Sequence, residues 1–216
     1  LSDVVLRDLD ERLKYLRNLE ERKEEVIRLI DEQGKLTDEL KAEIEKAEVL
    51  QRVEDLYKPF KQKKATRASK AKERGLEPLA MVIFAQLKTD GRPEEAAEPF
   101  INPEKEVNTA AEALAGACDI IAEMIADDPE ITKDVREKTF ASATVLTEAV
   151  DSEEKTVYEM YYDHAEALAK IPNHRVLAIN IGENENKLKV KISVDAETMH
   201  DVIGKSVLKN EKSIFY

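Results

Sequence analysis

Leu56-Tyr57-Lys58-Pro59-Phe60-Lys61-Gln62-Lys63-Lys64-Ala65-Thr66-Arg67-Ala68-Ser69-Lys70-Ala71-Lys72-Glu73-Arg74-Gly75-Leu76-Glu77-Pro78-Leu79-Ala80 is the one basic island in an acidic chain. From Lys58 to Arg74, eight cations (Lys58, Lys61, Lys63, Lys64, Arg67, Lys70, Lys72 and Arg74) stand against the single anion Glu73, a local net charge of +7. The 216 residues together carry −12, which leaves −19 for the remainder. Such asymmetry marks a partner-facing surface. The stretch also reads as a structural joint. Pro59 ends the helix that carries Leu56 and Tyr57, because its ring and missing N–H do not fit a helix interior. Thr66 caps a new short helix, Gly75 closes it in the left-handed conformation, and Pro78 opens the next.

Working outward, the N-terminal side is helical. Leu6, Leu9, Leu13 and Leu16 step by 3, 4 and 3, and Leu19, Val26, Ile27 and Ile30 continue the stripe of one long amphipathic helix. Gly34 is its natural stop and Thr37 the cap of the next. Leu40, Ile44, Ala47 and Leu50 form a second stripe, and Val53, Leu56 and Tyr57 lead into the joint.

Beyond the joint, Leu79, Val82, Ile83 and Leu87 form a helix broken at Gly91. Asn102-Pro103 and Asp128-Pro129 are restarts. Between them, the helix after Thr109 carries Ala110, Leu114, Ala117, Cys118, Ile121, Met124 and Ile125, with Gly116 and several alanines permitting close helix approach. Val135 and Phe140 supply apolar contacts to the helix that follows. Thr144 to Val150 has strand character, and Lys187 to Val194 alternates strictly, with Leu188, Val190, Ile192 and Val194 on one face. The two are expected to pair, with that face over helices. Tyr158, Tyr161 and Tyr162 form a half-buried seam ahead of a helix from His164 to Lys170, and Pro172 opens another that runs to about Gly182. The fold class is mainly α, a multi-helix scaffold with a small two-stranded β element. Its expected divisions are long helical segments over 1–57, the joint and a central bundle over 58–142, and a mixed segment over 143–216.

The same pass finds no assembled chemistry. His164, His174 and His200 share no metal-ligand spacing with one another or with Cys118. No serine stands in a nucleophile elbow, and adjacency does not make Asp163-His164 an orienting pair. The six glycines are scattered and form no phosphate-cradling loop. Asp127-Asp128 reads as a helix-end cap, and His174-Arg175 as a packing or hydrogen-bonding pair. The sequence therefore points to no catalytic residue, no cofactor and no metal. A single cysteine forbids an internal disulfide, fits a reducing cytoplasm, and with Leu114, Ile121 and Ile125 nearby is expected in the core. No apolar run approaches the ~20 residues of a membrane span.

The central run resembles the signature of the Tex family of bacterial transcriptional accessory proteins, in which Leu-Tyr-x-Pro-Tyr/Phe-Lys precedes a basic Thr-Arg-Ala segment and Gly-Leu-Glu-Pro-Leu-Ala. Phe60 stands where Tyr is commoner. Arg7-Asp8-Leu9-Asp10-Glu11-Arg12-Leu13, Glu32-Gln33-Gly34-Lys35-Leu36-Thr37, Ala113-Leu114-Ala115-Gly116-Ala117-Cys118-Asp119-Ile120-Ile121-Ala122-Glu123 and Lys170-Ile171-Pro172-Asn173-His174-Arg175-Val176-Leu177-Ala178 match further landmarks in order. The resemblance implies a cytoplasmic, multidomain, non-catalytic protein linked to transcription. It implies helix-turn-helix-like elements here, and RNase-H-like, helix-hairpin-helix and OB-fold RNA-binding domains elsewhere in the parent. Partners would then be nucleic acid (RNA or DNA), the transcription machinery and the parent's remaining domains.

The joint itself has two readings. In one, its lysines and arginines neutralise phosphates and release counterions, with Arg67, Lys70 and Arg74 on one helical face. In the other, the cations brace an acidic flank of the same protein, and the chain is an interaction scaffold without nucleic-acid contact. Tyr57 and Phe60 are packing anchors in both. The apolar end Ile214-Phe215-Tyr216 is expected to pack against a neighbouring molecule or to be poorly ordered.

Overall fold

The computed structural model describes residues 2–216. The helices are α1 (Asp3–Glu32), α2 (Asp38–Lys46), α3 (Leu50–Tyr57), α4 (Arg67–Glu73), α5 (Glu77–Ala85), α6 (Pro93–Ala97), α7 (Ala110–Asp127), α8 (Pro129–Ser142), α9 (Asn173–Asn184) and α10 (Ala196–Val207). The strands are β1 (Thr144–Ala149), β2 (Asp163–Ala167) and β3 (Leu188–Ser193). The fold is mainly α with a small antiparallel sheet. Two compact units divide the chain. The first takes the residues up to Thr132 together with Asn210–Tyr216, and the second is Lys133–Lys209.

In the first unit, one core forms where the C-terminal part of α1 meets α2 and α3: Leu19, Val26, Ile30, Ile44, Val53 and Leu56 are buried together. The α1 stripe outruns that core. Leu6, Leu9, Leu13 and Leu16 remain 40–63% exposed. The cause is length: at 1.5 Å per residue α1 spans about 45 Å, whereas α2 and α3 offer about 14 and 12 Å. Lys23 is buried in the same core, and its ammonium donates to the Glu20 carboxylate at 2.8 Å and to the Glu45 carbonyl at 2.9 Å.

A second core is organised on α7. Ala113, Ala117 and Ile120 pack with Ala68 and Ala71 of α4, Leu79 and Ala80 of α5, and Ala97 of α6. Gly116 permits the close approach. A Cβ built there would lie 2.3 Å from Leu76 Cδ1 and 3.4 Å from Ala71 Cβ, and Leu76 is only 1% exposed. Cys118 is exposed, contrary to the sequence expectation. The buried face of α7 runs through 113, 117 and 120, and Cys118 is turned about 100° from Ala117. The C-terminal tail also departs from expectation, because it packs within its own unit. Ile214 N–H donates to Lys88 O at 3.0 Å, the Asn210 amide donates to Gln86 O at 2.9 Å, and Ser213 is buried.

In the second unit the sheet order is β2-β1-β3. β1 and β3 pair as the alternation requires, with Val145 opposite Ile192 and Thr147 opposite Val190. A third strand replaces the helix expected over His164–Lys170. Asp163–Ala167 pairs with Thr144–Glu148, with Ala165 opposite Leu146. Two alanines and a glutamate favour a helix locally, and the free edge of β1 overrides that weak preference. α9 starts after Pro172, and Ile179 packs on Leu188, Val145, Tyr158 and Tyr161. The apolar face of β3 fades along its length: Leu188 is 2% exposed, Ile192 54% and Val194 36%. Phe140 of α8 is 60% exposed, so it is not the packing residue that its type suggests.

Gly116→Val places branched bulk against the side chains of Leu76 and of Ala71 in α4. It is expected to destabilise the first unit by about 1–3 kcal/mol. Thermal or urea unfolding followed by circular dichroism reads this directly, with the exposed-site change Ala115→Val as the comparison.

Candidate nucleic-acid interface

The joint is built as its sequence dictates. α3 gives way at Tyr57 to a single 3-10 turn over Lys58–Phe60. An exposed linker follows, and Thr66 then starts α4. Its hydroxyl accepts from Ser69 N–H at 3.0 Å, and the Ser69 hydroxyl accepts from Thr66 N–H at 2.8 Å. Gly75 closes the helix at φ +81°, a conformation that a side chain disfavours. Pro78 sits in the first turn of α5. Tyr57 and Phe60 are half-buried against the α1–α2–α3 core, and Phe60 O accepts from the Gln33 amide at 2.8 Å.

Most of the eight cations are turned toward the protein itself. Lys58 donates to Ala126 O, one of the last carbonyls of α7, at 2.6 Å. Lys63 bonds Asp127 and lies 3.6 Å from Glu123. Both lysines thus meet the negative end of the α7 dipole. The Thr66 hydroxyl donates to Glu123 at 2.8 Å, and Arg67 lies 3.7 Å from Asp119. Arg74 pairs with Glu106 at 3.1 Å and Lys72 with Glu77 at 3.9 Å. Lys61 donates to Glu54 at 2.8 Å. That carboxylate also takes Arg22 Nε at 2.6 Å, and Arg22 and Lys61 each lie 5.4 Å from the centre of the Tyr57 ring. The Arg22 guanidinium, then Lys61, hold the Glu54 carboxyl below its ordinary value, and Glu54 in turn raises Arg22.

Lys64 and Lys70 form no ion pair among the described residues, and both are exposed. The Arg67 side chain is 88% exposed despite Asp119. The outward-facing cations therefore reduce to Lys64, Arg67 and Lys70. Beside them is a shallow polar depression of about 470 Å³, lined by Lys70, Arg74 and Lys105 but equally by Glu73, Glu104 and Glu106. Its charges cancel, so it does not concentrate positive potential.

The partners of the joint were there to be read and were missed. Asp119, Glu123 and Asp127 step by four and lie on one face of α7. An acidic row on a helix beside a basic linker is the signal for bracing.

Other residues singled out in the sequence fall into structural roles. The Asp128 carboxylate accepts from Glu130 N–H and Ile131 N–H at 2.9 Å each, capping α8, while Asp127 serves Lys63. Arg175 donates to both oxygens of Glu166 at 3.0 Å, and His164 Nε2 lies 3.2 Å from the same carboxylate. Arg175, then His164, keep the Glu166 carboxyl below its usual range. Tyr158 and Tyr161 are buried, and Tyr158 donates to Glu185 at 2.9 Å. Partial burial, with Asp119 adjacent, pushes the Cys118 thiol up and away from the thiolate. Among the described residues no group of three or more His, Cys, Asp or Glu is arranged to hold a metal, and no helix is long and apolar enough to cross a membrane.

What the fold and the joint define is a helical module fastened by internal ion pairs and extended by a small α/β unit. Its family follows from comparison with known proteins: residues 88–213 match the Tex central region-like family model, and the chain belongs to the Tex family. It is 47% identical to YdcI of Bacillus subtilis (strain 168), over 99% of this chain and 30% of that protein. It is 41% identical to the transcriptional accessory protein Tex of Neisseria gonorrhoeae, over 89% of this chain and 25% of that one. S1 RNA-binding domain-containing protein 1 of Homo sapiens is 26% identical over 88% of the chain. The chain thus spans less than a third of the length of the curated relatives it matches.

Two outcomes test the joint. Phe60→Ala is expected to cost about 1–2 kcal/mol, below the ~3–5 of a fully buried aromatic because Phe60 is only half-buried, whereas Gln62→Ala at the exposed linker should leave the melting temperature unchanged. The Glu54 pairing contributes stability that is fully present above the ordinary carboxyl value of 4.5 and is lost as pH falls through the lower folded value. Glu54→Gln should therefore flatten the stability loss between pH ~5 and ~3, measured by urea unfolding.

Proposed function

We propose that this chain is a non-catalytic helical scaffold of a Tex-type transcription accessory protein, and that its basic joint chiefly locks α3 and α4 onto α7. The observation that carries this reading is the inward pairing of Lys58, Lys61, Lys63, Lys72 and Arg74 with carboxylates or a helix-end carbonyl. A phosphate backbone competing for those five would have to displace partners already in place. Through its rigidity the module would position the remaining domains of the parent protein; support comes from relatives named a transcriptional accessory protein and an S1 RNA-binding domain-containing protein.

A second reading is favoured by Lys64, Arg67 and Lys70. They remain directed to solvent near the start of α4, and they supply weak, sequence-indifferent contact to RNA or DNA as the parent engages it. With about three phosphates neutralised, log K should fall with log salt at a slope of roughly −2 to −3.

Two reversals separate the readings. Lys63→Glu sets a third carboxylate against Glu123 and Asp127, and is expected to destabilise the fold by about 1–2 kcal/mol, above the ~0.2–1 of an exposed pair. Lys64→Glu should leave stability unchanged. If both are neutral in thermal unfolding, the bracing reading fails. In a gel-shift assay at low and moderate salt, the triple reversal of Lys64, Arg67 and Lys70 should abolish any retardation shown by the parent chain. Undiminished retardation would remove the joint as the contact.

A further inference from the structure

We infer that the outer edge of β3, with the apolar slot beside it, is a docking site for an extended segment of a partner protein that alternates apolar and acidic residues. The site lies wholly within the second unit and is independent of the basic joint.

Among the described residues, the sheet order leaves β3 with one side unpaired. Val150 N–H donates to Lys187 O across the β1–β3 ladder. Alternation along an antiparallel pair then directs the main-chain groups of Lys187, Lys189 and Lys191 at β1, and those of Leu188, Val190 and Ile192 outward. Leu188 is buried, so the accessible edge runs from Val190 onward. Its N–H and C=O groups are a template for one more strand.

The slot supplies the second observation. It measures about 130 Å³ and lies between β3 and α9, lined by Val145, Ile171, Val176, Ile179, Val190 and Ile192. Its rim is open, with Ile192 54% and Val176 37% exposed. Residues opposite one another on neighbouring strands project to the same face. A fourth strand would therefore send the side chains opposite Val190 and Ile192 over this slot. Main-chain bonds at an edge with a pocket for alternate side chains is a recurring way of reading a peptide.

Charge selects the occupant. Lys189 and Lys191 are exposed on the opposite face of β3. The intervening residues of an added strand stand beside them, where carboxylates are favoured and cations are repelled. The same two lysines reject a second copy of this chain, because two β3 edges laid together would align their lysine rows. An acidic and apolar alternation satisfies edge, slot and lysines at once.

The test titrates the 216-residue protein into a labelled, end-capped peptide of alternating Glu and Leu, long enough to span β3, with fluorescence anisotropy as the readout. Saturable binding is expected, together with loss on N-methylation of the peptide amides that face the edge. The double variant Lys189→Glu/Lys191→Glu, checked for an unchanged circular dichroism spectrum, should bind at least ~10-fold more weakly. The same variant should instead take up a Lys-Leu peptide. Ile192→Ser, at an exposed position, should weaken the Glu-Leu peptide without reversing the charge preference. Absence of saturable binding to the folded parent overturns the proposal, as does equal affinity for the Glu-Leu and Lys-Leu peptides. Self-association of the chain that the peptide blocks would make a second copy the occupant and would overturn it equally.

Discussion

The contact between α7 and the linker that approaches it governs the first unit. Asp119, Glu123 and Asp127 present three carboxylates along one side of α7, and Arg67, Thr66 and Lys63 answer them in reverse order along the chain. On the same side, toward the N-terminus of the helix, Gly116 is in helical register with Glu123 and, with Ala113 and Ala117 beside it, admits α4 to close range. Apolar contacts at one end of that side and polar contacts at the other thus fix one element along its length. The ion pairs alone would contribute little, since several are more than a third exposed. Their weight comes from acting beside a close-packed helix pair that already sets the distance.

This arrangement explains why so basic a stretch sits in so acidic a protein. Joint cations also lie near Glu54, Glu77 and Glu106, which would otherwise repel neighbouring carboxylates. At Glu54 the geometry is tightest. Arg22 reaches in from α1, Lys61 from the linker, and the Tyr57 ring has a cation near its centre from each. One carboxylate therefore joins α1, α3 and the linker, and Arg52, paired with Glu43 and Glu130, joins α2, α3 and the start of α8.

Much of this was legible in the residues. Pro59, Thr66, Gly75 and Pro78 set the turns of the joint because each acts through its own backbone chemistry, whatever surrounds it. The alternation over Lys187–Val194 located β3 and its partner for the same reason. What was not legible depended on neighbours. Asp163–Ala167 has the composition of a helix and becomes a strand because β1 had a second edge to fill. Cys118 looks like a core residue by type, and the helical phase of α7 turns it out. The leucine stripe of α1 has the right period throughout, yet period does not report where covering helices end. At the candidate interface, a count of cations overstated what faces solvent, because a count does not reveal their partners.

The return of the tail has a consequence for the order in which this protein assembles during synthesis. Asn210 meets Gln86 at a sequence separation of 124, and Ile214 meets Lys88. The first unit therefore lacks its last piece until the whole of the second has left the ribosome. The second unit is one unbroken segment, Lys133–Lys209, and its contacts close as soon as it emerges. The entropic penalty of so long a closure grows only with the logarithm of its length, and a folded unit in between shortens the free chain that must be closed. A polypeptide whose earlier part waits on a later one keeps the α5 end open until the second unit has been made, and seals it afterwards.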